Sequence, residues 1–115
     1  MADEETLSKS RLAENEILYR RVNERIEDLN EALDVVASMD GEWVCECADA
    51  NCATRVTATI AEYESVRANP RRFIVAPGHV DREMEHVVRG NERFTVVEKE
   101  GVAAEKAELH DTRQR

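Results

Sequence analysis

Residues 43–52 read WVCECADANC and carry all three cysteines of this 115-residue chain. Cys45 and Cys47 are two positions apart in a segment that favours a strand, which places both sulfurs on one side of the backbone. The residues between Cys47 and Cys52 include aspartate and asparagine, which accept turn geometry and can bring Cys52 back to the same point. The pattern predicts one metal-binding knuckle, and three thiolates favour structural Zn²⁺.

A structural zinc site needs a fourth ligand, and the chain has three histidines. His79 directly follows a Pro-Gly turn at the end of a predicted strand, which can hold its ring rigidly. His86 lies in a predicted helix and His110 in the tail. The metal ligands predicted are therefore Cys45, Cys47, Cys52 and His79, with His86, an acidic residue or water as alternatives to His79.

Three other interpretations of the cysteines stay open. Buried cysteines can act simply as small apolar side chains. A disulfide would leave an odd thiol and is disfavoured in a cytoplasmic setting. An iron–sulfur cluster normally takes four cysteines, and this chain has three.

The charge of the chain limits its partners. The formal net charge is −9, which disfavours nucleic acid as a direct ligand because phosphate backbones repel such a chain. The apolar stretches are too short to span a membrane. The acidic N-terminus lacks the basic and apolar regions of a signal peptide, so we expect a cytoplasmic protein.

A long helix is predicted over residues 11–39, after a flexible lead-in at 1–10. Residues 11–38 contain no glycine or proline and are rich in Glu, Arg, Leu and Ala, which favour helices. Asp40-Gly41 is expected to end the helix, because glycine readily adopts the left-handed conformation found at helix ends.

Apolar positions along this helix step alternately by three and four, which indicates a heptad seam. The seam predicts an interaction helix that pairs in a coiled coil with a second copy or with a protein partner. The alternative is an amphipathic helix that packs on its own domain. The seam positions are Leu12, Asn15, Tyr19, Val22, Ile26, Leu29, Leu33 and Val36.

A small zinc-binding α+β domain is predicted over residues 42–99, followed by a charged tail at 100–115. The fold class predicted for the whole chain is α+β, with a long N-terminal helix, a small antiparallel sheet and short helices stabilised by the zinc knuckle. Thr59 and Glu62 match a capping box at the start of a helix. The expected elements are strands at 43–47, 55–59, 72–76 (central) and 93–98, and helices at 60–68 and 81–88.

Four segments together resemble a group of small actinobacterial proteins of uncharacterised function. The resemblance implies a cytoplasmic location and the pairing of the cysteine knuckle with the Pro-Gly-His turn, and it implies no particular activity. The segments are NEILYRRVNERIEDLNE (15–31), VCECADANC (44–52), EYESVRANPRRFIVAPGH (62–79) and VVEK (96–99).

These observations favour a zinc-stabilised adaptor or regulatory protein that acts through protein–protein interaction. A zinc–thiolate redox sensor is one alternative, because oxidation of zinc-held thiolates releases the metal. A zinc-dependent hydrolytic enzyme is a weaker alternative. The sequence contains no deaminase, phosphate-loop or nucleophile-elbow motif, and it predicts no catalytic residue.

Overall fold

A computed structural model describes residues 4–32, 39–49 and 51–111, with side chains of the first helix from 13 to 30. The fold is α+β, as predicted. A long helix comes first, and small antiparallel sheets and short helices follow. The elements are α1 (Glu4–Ala32), β1 (Asp40–Val44), β2 (Arg55–Thr59), α2 (Ile60–Arg67), β3 (Arg72–Val75), β4 (Glu85–Gly90), β5 (Thr95–Lys99) and α3 (Gly101–Leu109).

The strands form two separate sheets. β1 and β2 make an antiparallel hairpin in which Trp43 lies opposite Val56. The second sheet has the order β3-β5-β4 with antiparallel pairs. The prediction of a central strand at 72–76 was therefore wrong, since β5 pairs on both sides and β3 lies at an edge. The predicted capping box is present at Thr59 and Glu62, and it starts α2.

The predicted helix at 81–88 is also wrong. Residues 82–84 form turns, and β4 then pairs with β5 with a bulge between Val87 and Arg89. A strand there lets the backbone groups of residues 85–90 pair with β5, and valine is well suited to a strand.

The ends of the long helix also differ from expectation. α1 begins at Glu4, within the predicted lead-in, and the described part of it ends at Ala32. Gly41 does not end a helix, because it lies in β1 opposite Ala58. The predicted charged tail contains α3, whose alanines are buried. The small alanine side chains allow α3 to pack closely against α1.

The buried face of α1 is displaced from the predicted heptad seam. Asn15 and Tyr19 are half-buried, Ile26 packs at the edge of the core, and Val22 and Leu29 are 41% and 55% exposed. The side chain of Leu12, and both Leu33 and Val36, lie outside the described residues. α1 packs on its own domain with a face that is mostly polar. The buried residues are Ala13, Glu16, Ile17, Arg20, Asn23 and Glu27.

Charged side chains fill part of the interior beneath α1. The Lys99 ammonium contacts the carboxylates of Glu16 in α1 and Glu85 in β4, and all three side chains are buried. Lys99 and Arg20 both lie over the Phe73 ring, at 4.8 and 3.5 Å from its centroid. Burial lowers the pKa of Lys99 and raises the pKa of Glu85.

An aromatic pair forms the apolar part of the core between the hairpin and α2. Trp43 and Tyr63 stack with ring centroids 4.2 Å apart, and both are fully buried. The Trp43 indole N–H donates to the Ala58 carbonyl oxygen at 2.9 Å. The indole is therefore hydrogen-bonded within the core and does not offer a surface for a ligand.

Replacing Lys99 by Met should lower the free energy of unfolding by about 3 kcal/mol at pH 7, because Glu16 and Glu85 would remain buried without their cation. These carboxylates would then bind protons more readily in the folded than in the unfolded state. The unfolding free energy of the variant should therefore rise as the pH falls from about 7 towards 5. Urea denaturation at both pH values measures this.

Lys106→Met is the matched control, because Lys106 pairs with the exposed carboxylate of Glu14. The loss of unfolding free energy in this variant should stay below about 1 kcal/mol and change little over the same pH range. Equal costs for the two lysine variants would show that the interior charges contribute no more than a surface pair.

Candidate metal centre

The strand predicted at 43–47 ends earlier than expected, because β1 is Asp40–Val44, and the cysteine segment continues directly from it. The Cys45 N–H donates to the Thr54 carbonyl oxygen at 3.0 Å, and the Glu46 N–H donates to the Ile74 carbonyl oxygen at 2.8 Å. Side chains in extended backbone alternate between the two sides. Cys45 and Cys47 therefore point to one side, and Glu46 points to the other side, into the core.

The four predicted ligand residues come together. One ligand atom from each of Cys45, Cys47, Cys52 and His79 lies within 4.8 Å of the others. The His79 Nδ1 atom is 3.6 Å from the sulfur of Cys45 and 3.6 Å from that of Cys52. Tetrahedral zinc with Zn–S of about 2.3 Å and Zn–N of about 2.0 Å places sulfur and nitrogen about 3.6 Å apart. The cluster can hold a metal ion.

A tight turn presents His79 to the cysteines. Gly78 has a φ of 85°, in the left-handed region that glycine adopts without strain. The His79 N–H donates to the Ala76 carbonyl oxygen at 3.0 Å and closes the turn. Since Ala76 directly follows β3, the second sheet fixes the position of the imidazole relative to the hairpin.

The alternative histidine ligand, His86, lies elsewhere. It is in β4, with Nδ1 2.8 Å from a Glu100 carboxylate oxygen and Nε2 3.8 Å from Glu98. Its side chain is about half exposed, and its partners are acids of β5 and the residue after it. The structure therefore brings His79, and not His86, to the three cysteines.

Backbone groups act on all three cysteine sulfurs. The Ala76 N–H donates to the Cys45 sulfur at 3.1 Å, and the backbone at Asp49 and at Thr54 acts to lower the pKa of Cys47 and of Cys52. Hydrogen bonds to the charged form of a group favour that form. The backbone is therefore arranged to support thiolates, the form in which cysteine binds metals.

The three thiols differ in acidity. Burial raises the pKa of Cys45 and of Cys47. Burial also acts on Cys52, but the backbone and side chain of Thr54, together with Cys47 and His79, outweigh it and lower its pKa to about 7. Cys52 is also the most exposed of the three. It is therefore the thiol best placed to react with reagents in solution.

Glu46, on the side of the segment that faces away from the sulfurs, was not predicted from the sequence as a buried residue. The Glu46 carboxylate is fully buried and accepts hydrogen bonds from Asn23 Nδ2 (2.9 Å), the Tyr63 hydroxyl (3.0 Å) and the Ile74 N–H (2.9 Å). Burial raises its pKa, against the opposing effects of Arg20 and Asn23. The alternation of the segment was the available signal, because it turns Glu46 inward once both cysteines face the candidate metal site.

An open cavity of about 810 Å³ lies beside the site. Acidic residues contribute much of its lining, including Asp49, Asp81 and Glu83, and two of the metal-ligand candidates reach it, Cys47 and His79. The clustering of Cys45, Cys47, Cys52 and His79 does not depend on this cavity.

No family model, curated protein or solved structure matches this chain. The resemblance to actinobacterial proteins therefore stays a prediction, and the geometry of the site carries the functional argument. None of the helices in the described ranges is long and apolar enough to cross a membrane. The cytoplasmic location also stays a prediction.

In metal-free protein, iodoacetamide should alkylate Cys52 first. The pKa of Cys52, about 7, leaves its thiol mostly as thiolate at about pH 8. Cys45 and Cys47 are buried, and their pKa values are raised. Peptide mass spectrometry over a time course measures the order. Added Zn²⁺ should protect all three. Modification of Cys45 as early as Cys52 would contradict the assignment.

Proposed function

We propose that Cys45, Cys47, Cys52 and His79 bind one Zn²⁺ ion that serves a structural role. The observation that carries the proposal is the convergence of the three sulfurs and the His79 Nδ1 atom at spacings that suit tetrahedral zinc. Three thiolates and one imidazole complete four-coordination, which is typical of structural sites and leaves no position for substrate.

The ion would connect the parts of the chain that carry the two sheets. Three ligands follow β1, and the fourth follows β3, which belongs to the other sheet. Zinc binding to a site that exists only in the folded chain contributes directly to folding free energy. A chain with 36% charged residues and several of them buried benefits from that contribution.

We further propose that the protein acts by recognition, with α1 as the surface that contacts a protein partner or a second copy. Leu18, Val22 and Leu29 are 58%, 41% and 55% exposed. Their spacing of four and seven places them along one side of the helix. The sequence-predicted seam overlaps this stripe at Val22 and Leu29, so α1 can pack on its own domain and still offer apolar side chains outward.

A redox sensor is the second candidate, and the position of Cys52 favours it. Cys52 combines partial exposure with a lowered pKa, which are the properties of oxidisable thiols. The two candidates differ in their response to peroxide. A structural site keeps its zinc under mild treatment, whereas a sensor releases it and recovers it after reduction of the thiols.

Purified protein should contain about one zinc per chain by elemental mass spectrometry. His79→Ala should weaken zinc binding by more than about tenfold, since even an outer contact to a zinc ligand is worth about 10–100-fold in affinity. Competition with a chromophoric chelator measures the affinity. Co²⁺ substitution should give the visible spectrum of a tetrahedral site with thiolate ligands.

His86→Ala is the matched control, because it removes an imidazole that pairs with Glu100 away from the site. It should keep wild-type affinity. Protein without metal that also fails to bind added zinc or cobalt would remove the proposal, and equal losses in the two histidine variants would remove the assignment of His79.

Positive charges at Leu18 and Leu29, on the exposed side of α1, should disrupt any pairing through this helix. If α1 pairs with a second copy, the wild-type mass by analytical ultracentrifugation should rise with concentration, and Leu18→Lys/Leu29→Lys should remain monomeric. Glu42→Lys/Thr57→Lys is a matched control with two exposed positions on the β1–β2 hairpin. A monomeric wild type at every concentration would exclude self-pairing and leave pairing with a different protein.

A further inference from the structure

Three side chains of α1 hold the backbone of the cysteine segment. Asn15, Tyr19 and Asn23 are spaced by four, so they follow one another along one side of the helix. Each of them forms a hydrogen bond with this segment. Each of the three side chains bonds main-chain atoms, whose position depends on the conformation of the segment.

The hydrogen bonds from α1 reach the cysteine segment before Cys45 and after Cys47. The Asn15 amide donates to the Ala48 carbonyl oxygen at 3.2 Å, and the Tyr19 hydroxyl donates to the Asp49 carbonyl oxygen at 2.8 Å. Ala48 and Asp49 lie between Cys47 and Cys52. These two bonds therefore hold the turn that brings Cys52 back to the other sulfurs.

Asn23 acts at the beginning of the segment. Its amide donates to the Val44 carbonyl oxygen and accepts from the Val44 N–H, both at 2.7 Å, in the manner of a neighbouring strand. The same amide donates to the Glu46 carboxylate at 2.9 Å. It therefore binds the residues immediately before and after Cys45.

We propose that α1 and the metal site are thermodynamically coupled, with Asn15, Tyr19 and Asn23 as positioning residues for the metal ligands. The proposal rests on the proposed zinc site. A metal ion fixes the backbone at 44–49 in the conformation that these side chains recognise. Coupling is reciprocal, so the metal holds α1 on the domain by the same factor by which α1 tightens metal binding.

The composition of the α1 interface makes this coupling effective. Much of what α1 buries is polar or charged, including Glu16, Arg20 and Asn23, and Ile17 is its largest apolar contribution to the core cluster. Hydrogen bonds weaken steeply with misalignment, whereas apolar contacts tolerate small shifts. A rearranged cysteine segment therefore loses its bonds to α1 rather than adjusting to them.

Release of α1 would change what the protein can bind. In the docked state Asn15, Tyr19 and Ile26 face the domain, while Val22 and Leu29 face solvent. The heptad seam predicted from the sequence is therefore complete only when α1 leaves the domain. Metal occupancy would then control whether this helix can pair through its full seam.

The first test is zinc affinity of the Asn15→Ala/Tyr19→Phe variant, measured by competition with a chromophoric chelator. Neither change touches a metal ligand, and alanine favours the helix, so α1 itself is not weakened. Loss of the two hydrogen bonds should lower the affinity roughly tenfold or more. Lys106→Gln, which removes a contact of α1 with α3, is the matched control and should stay within about twofold of wild type.

The second test is hydrogen exchange of the wild-type protein with zinc and after its removal. Amides of α1 over 13–30 should lose roughly tenfold or more of their protection without zinc, and β5 should lose less. Equal loss in α1 and β5 would mean that zinc stabilises the whole domain, and it would overturn a selective coupling to α1.

The outcomes separate the two proposals. Zinc binding with unchanged affinity in Asn15→Ala/Tyr19→Phe would overturn the coupling and leave the zinc site intact. Hydrogen-exchange protection of α1 that does not change when zinc is removed would also overturn the coupling and leave the zinc site intact. Failure of the wild-type protein to bind zinc would remove the proposed function, and the coupling with it.

Discussion

Glu46 has its carboxylate buried where α1, α2 and β3 meet, with hydrogen bonds from Asn23, Tyr63 and the Ile74 N–H. A buried carboxylate is costly unless its oxygens are satisfied. The three donors come from three separate elements, so satisfying this one group requires all of them to be in place. The same requirement fixes the backbone of residues 45–47, which in turn sets the direction of the Cys45 and Cys47 sulfurs.

The interior of this protein uses charge where many small domains use apolar side chains. Lys99 lies between Glu16 and Glu85, and Arg67 reaches Glu24 and Asp111 from a fully buried position. Buried ion pairs contribute little net stability, because the cost of desolvation offsets the attraction. They do penalise any arrangement that separates the partners. The buried charges therefore favour one arrangement of the chain over others, and the stability of the fold depends on other contributions.

The sequence predicted the features that follow from local patterns. Alternation in 43–47, the Pro-Gly-His turn and the capping box at Thr59 each depend on neighbouring residues, and the structure contains all three. The features that the sequence did not reveal depend on distant partners. Periodicity assigned the apolar positions of α1 to its contact face, but Glu16 could be buried only because Lys99 meets it, and that pairing spans most of the chain. Likewise β4 is a strand because β5 is available beside it.

The spacing of the metal ligands along the chain has a consequence for how the protein folds. The three cysteines lie close together in sequence, whereas His79 is 34 positions after Cys45. Closing a short loop costs less entropy than closing a long one, so three thiolates can gather around an ion before β3 has formed. The imidazole can join only when the second sheet places its turn beside the hairpin. If the proposed ion binds during folding, the three sulfurs would therefore engage it first and the imidazole last.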